Sequence, residues 1–144
     1  MYFRGPYPLT QHIEVRAPME SKQTKVRKFI KKAAATARTH SMFEKGDRVV
    51  AGISGGPDSV ALLFFLLEVK EAFQMEKIGV AQLNHMLRGE EANRDQQFVA
   101  NLAERVGVEF FTESRDVCRL AKEDGLSTED AARKARFAFF SSIL

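Results

Sequence analysis

Apolar and polar residues recur along the chain in blocks that predict one helix followed by three strand–helix units. From Ser21 onward, apolar residues fall at helical spacing with lysine and arginine between them, which is typical of a basic amphipathic helix. Its apolar positions are Val26, Phe29, Ile30, Ala33, Ala34 and Ala37. Residues 1–20 contain three prolines and show no periodicity, so we expect an irregular N-terminal lead there.

Three short runs rich in β-branched and aromatic residues predict buried strands. They are RVVAGIS (48–54), KIGVAQL (77–83) and VEFFTE (108–113). Each run is followed by a helical pattern, and the order of strands and helices predicts an α/β fold. Such alternation with short connections implies a mostly parallel sheet with helices on both faces.

Start and stop signals delimit the predicted helices. Pro57 suits a first helical position, and Val60 to Leu67 are all apolar, which predicts a helix buried on nearly every side. The next helix is predicted to end at Gly107 and to present one apolar face, formed by Phe98, Val99, Leu102, Ala103 and Val106. A short helix is predicted to end at Gly125, and Ser127 is predicted to cap the last helix with Asp130 as its partner.

Composition narrows the class of protein. The chain has 144 residues, 44% of them apolar, which fits one domain of ordinary size. Its longest apolar run is far shorter than the roughly 20 residues that cross a bilayer, and the N-terminus lacks the apolar core of a secretory signal. We therefore expect a cytoplasmic protein without a membrane partner. Cys118 stands alone, which excludes an intramolecular disulfide and a multi-cysteine metal site.

Charge is unevenly divided along the chain. Residues 1–48 carry 11 Lys/Arg against 4 Asp/Glu, a net charge of +7, whereas residues 49–144 carry 11 against 15, a net charge of −4. A basic segment ahead of an acidic body is able to attract nucleic-acid phosphates. A solvated helix face explains the same composition, and the sequence leaves both interpretations open.

The segment AGISGGPDSVALL (51–63) carries the most specific chemistry. Gly52, Ser54 and Gly56 match Gly-x-Ser-x-Gly, the pattern of a hydrolase nucleophile, which requires an acid and then a histidine downstream. The only histidine after Ser54 is His85, one predicted strand later, and no strand is predicted before residue 48. Both facts argue against a serine hydrolase.

A phosphate-binding turn fits the same residues better. Gly55 and Gly56 permit positive φ and close approach of a phosphate to backbone amides, and the hydroxyls of Ser54 and Ser59 add donors. The N-terminus of the following helix adds partial positive charge. No lysine follows the glycines as in a Walker motif, and no Gly-x-Gly-x-x-Gly dinucleotide pattern is present.

Asp58 would repel a bound polyanion unless a cation lay between them. Magnesium bridging its carboxylate to phosphate oxygens would resolve that conflict. The alternative is that Asp58 is an acidic residue of the first helical turn, with no ligand role.

Three motifs resemble a known family. SGGPDS after a buried strand resembles the signature of the PP-loop ATP pyrophosphatases, and LNHMLRGEEANRDQQFV (83–99) and LSTEDAARKARFAFF (126–140) resemble the tRNA(Ile)-lysidine synthetases. The resemblance runs from Lys25 to Leu144, with Phe137 where tyrosine is common. It implies a Rossmann-like, adenine nucleotide alpha hydrolase-like sheet, truncated after the third strand and its following helices. Residues 21–144 would form the N-terminal part of a PP-loop ATP-binding catalytic domain.

The resemblance also implies the site residues. ATP would be bound by Ser54, Gly55, Gly56, Pro57, Asp58, Ser59, His85, Arg88 and Arg136. Asp58, as a magnesium ligand, and Arg133 would be catalytic, the guanidinium neutralising charge that develops on phosphate. Two alternatives stay open: His85 is a packing or solvent-facing residue, and Arg133 forms a surface ion pair with Glu129.

The implied reaction has two steps. ATP adenylates the wobble cytidine of an isoleucine tRNA with a CAU anticodon and releases pyrophosphate, and the side-chain amine of free L-lysine then displaces AMP to give lysidine. A thiolase-type PP-loop enzyme is an alternative, which the single cysteine disfavours, and a non-catalytic ATP-binding fragment is another. We expect the chain alone to be inactive and to form a homo-oligomer through the open edge of its first strand.

Overall fold

The architecture follows the predicted order of elements. The computed structural model describes residues 21–86 and 90–144, and the predicted irregular lead (1–20) lies outside them. The elements are α1 (Lys22–Thr39), β1 (Arg48–Gly52), α2 (Pro57–Val69), β2 (Lys77–Asn84), α3 (Glu90–Val106), β3 (Glu109–Ser114), α4 (Val117–Asp124) and α5 (Thr128–Ile143). Every predicted helix and strand is therefore present. Within the described ranges, none of these helices is both long and apolar enough to cross a membrane.

The three strands form a parallel sheet in the order β1-β2-β3. Val50 lies opposite Gly79 and Gly52 opposite Ala81, while Ala81 lies opposite Phe111 on the other side. Within the described residues, β1 pairs with β2 alone and so presents a free edge. The expected α/β, Rossmann-like parallel fold is confirmed.

Helices cover both faces of this sheet, because side chains alternate along each strand. On one face, the main core is formed by Ala51 of β1, Ile53 directly after β1, and Ile78 and Val80 of β2. Buried residues of α1, α2 and α3 pack against them: Ala34, Leu63, Leu66, Val69, Val99, Leu102 and Ala103. On the other face, Leu83 packs against a smaller cluster of α4 and α5 residues, namely Val117, Ala121, Ala131 and Ala135.

The predicted helix ends are confirmed. The Ser127 side chain accepts a hydrogen bond from the Asp130 amide at 3.1 Å, and its hydroxyl donates to the Asp130 carboxylate at 2.6 Å. Gly107 and Gly125 follow α3 and α4 with φ of 71° and 63°, the left-handed conformation that ends many helices. These signals act within a few residues, so tertiary packing does not override them.

The predicted burial of α2 is wrong. Leu63, Leu66 and Val69 are buried against the sheet, whereas Leu62 and Phe64 are 45% and 51% exposed. A straight helix turns only one stripe toward a sheet, and Phe64 is rotated about 160° away from Leu66 in that stripe. Two other predicted apolar faces are incomplete for the same reason, with Val26 and Phe29 of α1 and Phe98 of α3 exposed.

Gly52 allows α5 to approach the carboxyl end of β1. A Cβ atom added to Gly52 would lie 2.9 Å from Cζ of Phe140 on α5, closer than real Cβ contacts. Its backbone does not adopt a positive φ, so the requirement for glycine is steric. The missing side chain therefore decides how closely α5 covers this end of the sheet.

We predict that Gly52→Ala lowers the free energy of unfolding by about 1–3 kcal/mol through overpacking. Denaturant unfolding of Gly52→Ala, Phe140→Leu and the double variant measures the coupling, and the alanine should cost less when the ring is gone. Gly56→Ala is the matched control, since a Cβ there would meet its nearest atom at an ordinary 3.5 Å. If Gly52→Ala costs the same stability with and without the Phe140→Leu substitution, the steric explanation is contradicted.

Candidate functional site

A tight turn joins the end of β1 to the start of α2. The Ile53 amide donates to the Ala81 carbonyl at 2.9 Å, so the strand pairing extends to the beginning of the turn. Gly55 has φ of +93°, as predicted. Gly56 does not adopt the positive φ that glycine permits: its φ of −74° and ψ of 160° are those of an extended N-cap residue, which helix starts prefer. Pro57 is the first residue of α2, as predicted.

Two serine hydroxyls hold the shape of this turn. The Ser54 amide donates to Ser59 Oγ at 3.2 Å, and the Ser59 hydroxyl donates to the Gly56 carbonyl at 2.9 Å. Ser54 Oγ lies 3.2 Å from Ser59 Oγ and accepts a longer hydrogen bond from the Gly56 amide at 3.4 Å. The first-turn amides of a helix have no intrahelical acceptors, so the turn presents unpaired N–H groups at the start of α2. The expected donors of a phosphate site are therefore grouped within six residues.

Two carboxylates flank the turn. Asp58 is exposed in the first turn of α2 and forms no ion pair or hydrogen bond with any described residue. Asp95 of α3 lies beside Gly55, where an added Cβ would be 3.6 Å from the Asp95 Cβ and 3.8 Å from its Oδ1. Asp95 is not among the site residues predicted from the sequence. The one signal for it in the sequence is its position, a few residues into α3, the helix that follows the connection carrying His85.

An open cleft of about 560 Å³ lies at the carboxyl ends of β1 and β2. Residues 52–54 and 81–85 form its floor, Ala92 and Asp95 of α3 line one side, and Arg136 and Phe140 of α5 line the other. Ligands of parallel α/β sheets bind at this end of the strands, and the volume lies within the usual range for small-molecule sites. Ser54 belongs to both the turn and the cleft lining, so the two adjoin at the end of β1.

Two polar side chains in the cleft lining have unsatisfied buried atoms. Oε1 of Gln82 and Nδ1 of His85 are buried and have no hydrogen-bond partner. Burial, and secondarily the positive charge of Arg136, lower the pKa of His85 below its ordinary value, which favours a neutral imidazole. Buried polar atoms normally have partners, so these two mark positions where a ligand is able to supply them.

Asn84 fixes the loop that carries His85. Its Nδ2 donates to Asn93 Oδ1 at 3.3 Å and to Gln96 Oε1 at 3.2 Å, both on α3. Its Oδ1 accepts from the Met86 amide at 2.9 Å, and Met86 adopts φ of +56°. The end of β2 is thereby tied to α3 directly beside the cleft.

The two predicted arginines of α5 have different surroundings. Arg136 lines the cleft, whereas the guanidinium of Arg133 lies over the exposed ring of Phe137, 5.7 Å from its centroid. No ion pair among the described residues involves Glu129, so the alternative interpretation of Arg133 is not supported either. Arg88 lies outside the described residues.

The donor set fits a magnesium nucleotide better than a metal held by protein alone. No group of three or more histidine, cysteine, aspartate or glutamate side chains in residues 21–86 and 90–144 is arranged to hold a metal ion. Magnesium usually retains water and binds through one or two carboxylates together with substrate phosphates, and Asp58 beside an amide-lined turn offers that combination. The arrangement is thus suited to a phosphorylated ligand that brings its own oxygen atoms.

Comparison with known proteins agrees with the motifs. The chain is 44% identical over 112 residues to the tRNA(Ile)-lysidine synthase of Clostridioides difficile (strain 630), covering 78% of this chain and 24% of that protein. It is 42% identical over 114 residues to the tRNA(Ile)-lysidine synthase of Geobacter sulfurreducens, covering 79% of this chain and 24% of that protein. The chain spans about a quarter of the length of these curated relatives. The family model described as PP-loop domain matches residues 18–144, and the chain belongs to that family.

Proposed function

We propose that this chain is the ATP-binding part of a tRNA(Ile)-lysidine synthetase. The observation that carries the proposal is the 54–59 turn, in which Gly55 has φ of +93° and Ser54 lines the cleft at the strand ends. Similarity to tRNA(Ile)-lysidine synthases over about four fifths of the chain supports the choice of reaction. In this proposal ATP adenylates the wobble cytidine of an isoleucine tRNA with a CAU anticodon, and L-lysine then displaces AMP.

Different residues of the turn bind different parts of the magnesium nucleotide in this proposal. Amides and hydroxyls of Ser54, Gly55, Gly56 and Ser59 bind the phosphates, with Pro57 setting the direction in which α2 begins. Asp58 holds magnesium, which supplies positive charge against the charge that builds on the leaving pyrophosphate.

Residues from β2 and α5 complete the proposed ATP site. Arg136, from the opposite side of the cleft, neutralises phosphate charge, and Arg133, one turn earlier on α5, is the second candidate guanidinium. His85 contacts the nucleotide from the end of β2, and Arg88 follows it in the same connection.

We further propose a cytoplasmic setting and a homo-oligomer formed through the free edge of β1. Within the described residues Arg48–Gly52 pairs only with β2, and an unpaired strand edge favours association with another chain. Light scattering of the purified chain tests this, and a monodisperse monomer would contradict it.

A chimera tests the proposed reaction. Residues 25–144 of this chain replace the matching segment of the Clostridioides difficile relative, and we expect the purified chimera to form lysidine in isoleucine tRNA with ATP and labelled lysine. A thiolase would transfer sulfur and leave lysine unused. A folded chimera that binds ATP and forms no lysidine would contradict the proposed reaction and favour a non-catalytic ATP-binding role.

The same chimera tests the proposed role of Asp58. Asp58→Asn should slow single-turnover adenylation roughly 100-fold or more, since an electrostatic interaction of the transition state is lost, while lysine binding changes little.

ATP binding should take up protons through His85. In the folded chain without ATP the pKa of His85 is below its ordinary value, so the unfolded chain binds this proton more readily. The neutral imidazole therefore contributes folding stability above the ordinary histidine range, and that stability is lost as pH falls below it. Bound phosphate raises that pKa, and ATP affinity should therefore increase as pH falls through the same range. Isothermal titration in buffers of different ionisation enthalpy measures the uptake. His85→Ala should abolish it, and His40→Ala, which alters an exposed histidine after α1, should not; uptake that persists in His85→Ala would exclude this role.

A further inference from the structure

Helix α1 is the most one-sidedly charged element of the chain. It contains seven lysine and arginine residues and no acidic residue: Lys22, Lys25, Arg27, Lys28, Lys31, Lys32 and Arg38. Each of the other four helices contains aspartate or glutamate. The nucleotide site described above makes no use of α1, so the function of its charge is unexplained.

Most of this charge points into solvent. The helix is anchored to the main core through Ala34 near its C-terminal end, with Ile30 packed partly against the same cluster. At about 100° per residue, Lys25 and Lys32 lie on the side away from Ala34, whereas Arg27 and Lys31 lie on its own side, about two turns and one turn closer to the N-terminus. All four are exposed, and none forms an ion pair with a described residue.

Two cations on other helices have an acidic partner nearby. Arg119 lies 3.8 Å from Glu123 on α4, and Lys134 of α5 lies 2.9 Å from Asp124. On α1, like charges instead follow one another at i,i+3 and i,i+4, which destabilises a helix in isolation. Helix α1 is thus strongly positive, whereas the remainder of the chain has a net charge of −4. A surface with this concentration of positive charge is suited to an anionic partner.

We propose that α1 is a docking surface for the backbone phosphates of RNA, contacting the substrate tRNA outside the loop that reacts in the cleft. This inference rests on the proposed function for the choice of RNA. Phosphate contacts position a protein on a nucleic acid and carry no sequence information, so α1 contributes affinity and orientation, while the cleft selects the reacting base.

An anionic membrane surface is the other partner that a basic helix suggests. Such helices insert a broad apolar face into the bilayer. On α1 that face is largely used within the fold, because Ile30, Ala34 and Ala37 are wholly or partly buried and only Val26 and Phe29 remain exposed among its large apolar residues. The helix therefore fits a phosphate backbone better than a lipid surface.

Salt-dependent RNA binding tests the proposal. Lys25→Gln/Lys31→Gln/Lys32→Gln removes three charges from α1, and Lys45→Gln/Arg105→Gln/Lys122→Gln removes three from other elements; glutamine retains helix propensity. The full chain and both variants are titrated with an isoleucine tRNA transcript and with an unrelated tRNA between about 50 and 200 mM salt. Circular dichroism and ATP affinity, expected to be the same in all three proteins, establish that each is folded.

We expect the α1 variant to lose at least tenfold in affinity for both RNAs at the lower salt concentration. The slope of the logarithm of its RNA association constant against the logarithm of salt concentration should become less negative, by about 0.7–0.9 for each phosphate contact removed. The control variant should have the slope of the parent. Equal losses in both variants would reduce the effect to net charge and overturn the proposal, as would a parent chain that binds neither RNA. Loss of binding to phosphatidylcholine–phosphatidylserine vesicles with unchanged RNA binding would assign α1 to membranes instead. The two proposals fail separately. If the chimera forms lysidine but the α1 variant keeps the salt slope of the parent, only the role of α1 in RNA binding is contradicted. If the α1 variant shows the expected change in slope but the chimera forms no lysidine, only the proposed reaction is contradicted.

Discussion

Gly55 holds a backbone conformation that a residue with a side chain adopts only with strain, and the candidate site is arranged around it. Its φ of +93° turns the chain from β1 into α2 within four residues. The hydrogen bonds among Ser54, Gly56 and Ser59 close this turn from inside, and Asp95 of α3 packs against it from outside. A turn held from both sides before a ligand arrives loses little conformational entropy on binding, which is how preorganised sites gain affinity.

The cleft next to this turn depends on small residues in the sheet. Gly52 and Ala81 lie opposite each other in β1 and β2, on the face that α5 approaches through Phe140. With larger side chains there, α5 would stand farther away, and Arg136 would no longer line the same cleft as the turn. Packing on one face of the sheet and the polar turn at the strand ends are thus parts of one arrangement. The lowered pKa of His85 follows from it as well, because burial and Arg136 both disfavour the charged imidazole.

Local signals in the sequence predicted the elements, their order and most of their ends. Ser127, Gly107, Gly125 and Pro57 each act through bonds or dihedral angles within a few residues, and the structure confirms them. Burial was predicted less well, since periodicity identifies an apolar face but does not say whether another element covers it. Phe29 and Phe64 are exposed for that reason.

The site residues that the sequence analysis missed come from distant parts of the chain. Asp95 meets Gly55 across 40 positions, Phe140 meets Gly52 across 88, and Gln82 attracts notice only because its buried oxygen lacks a partner. The relative positions of Arg133 and Arg136 likewise depend on how α5 is rotated against the sheet, which helical spacing alone does not fix. The roles of the predicted nucleotide-binding residues remain predictions that rest on their grouping around one cleft.

The most direct measurement of the central claim is hydrogen exchange of the chain with and without magnesium and ATP. If the nucleotide binds between the 54–59 turn and α5, exchange should slow at the amides of residues 54–56, 58 and 59 and at the end of β2. Helix α1 should be unaffected. Gly55→Val, which forces a branched side chain into a left-handed conformation, should lose this protection while the core strands stay protected. ATP binding that is measurable by calorimetry but protects other segments, or that persists in Gly55→Val, would contradict the account.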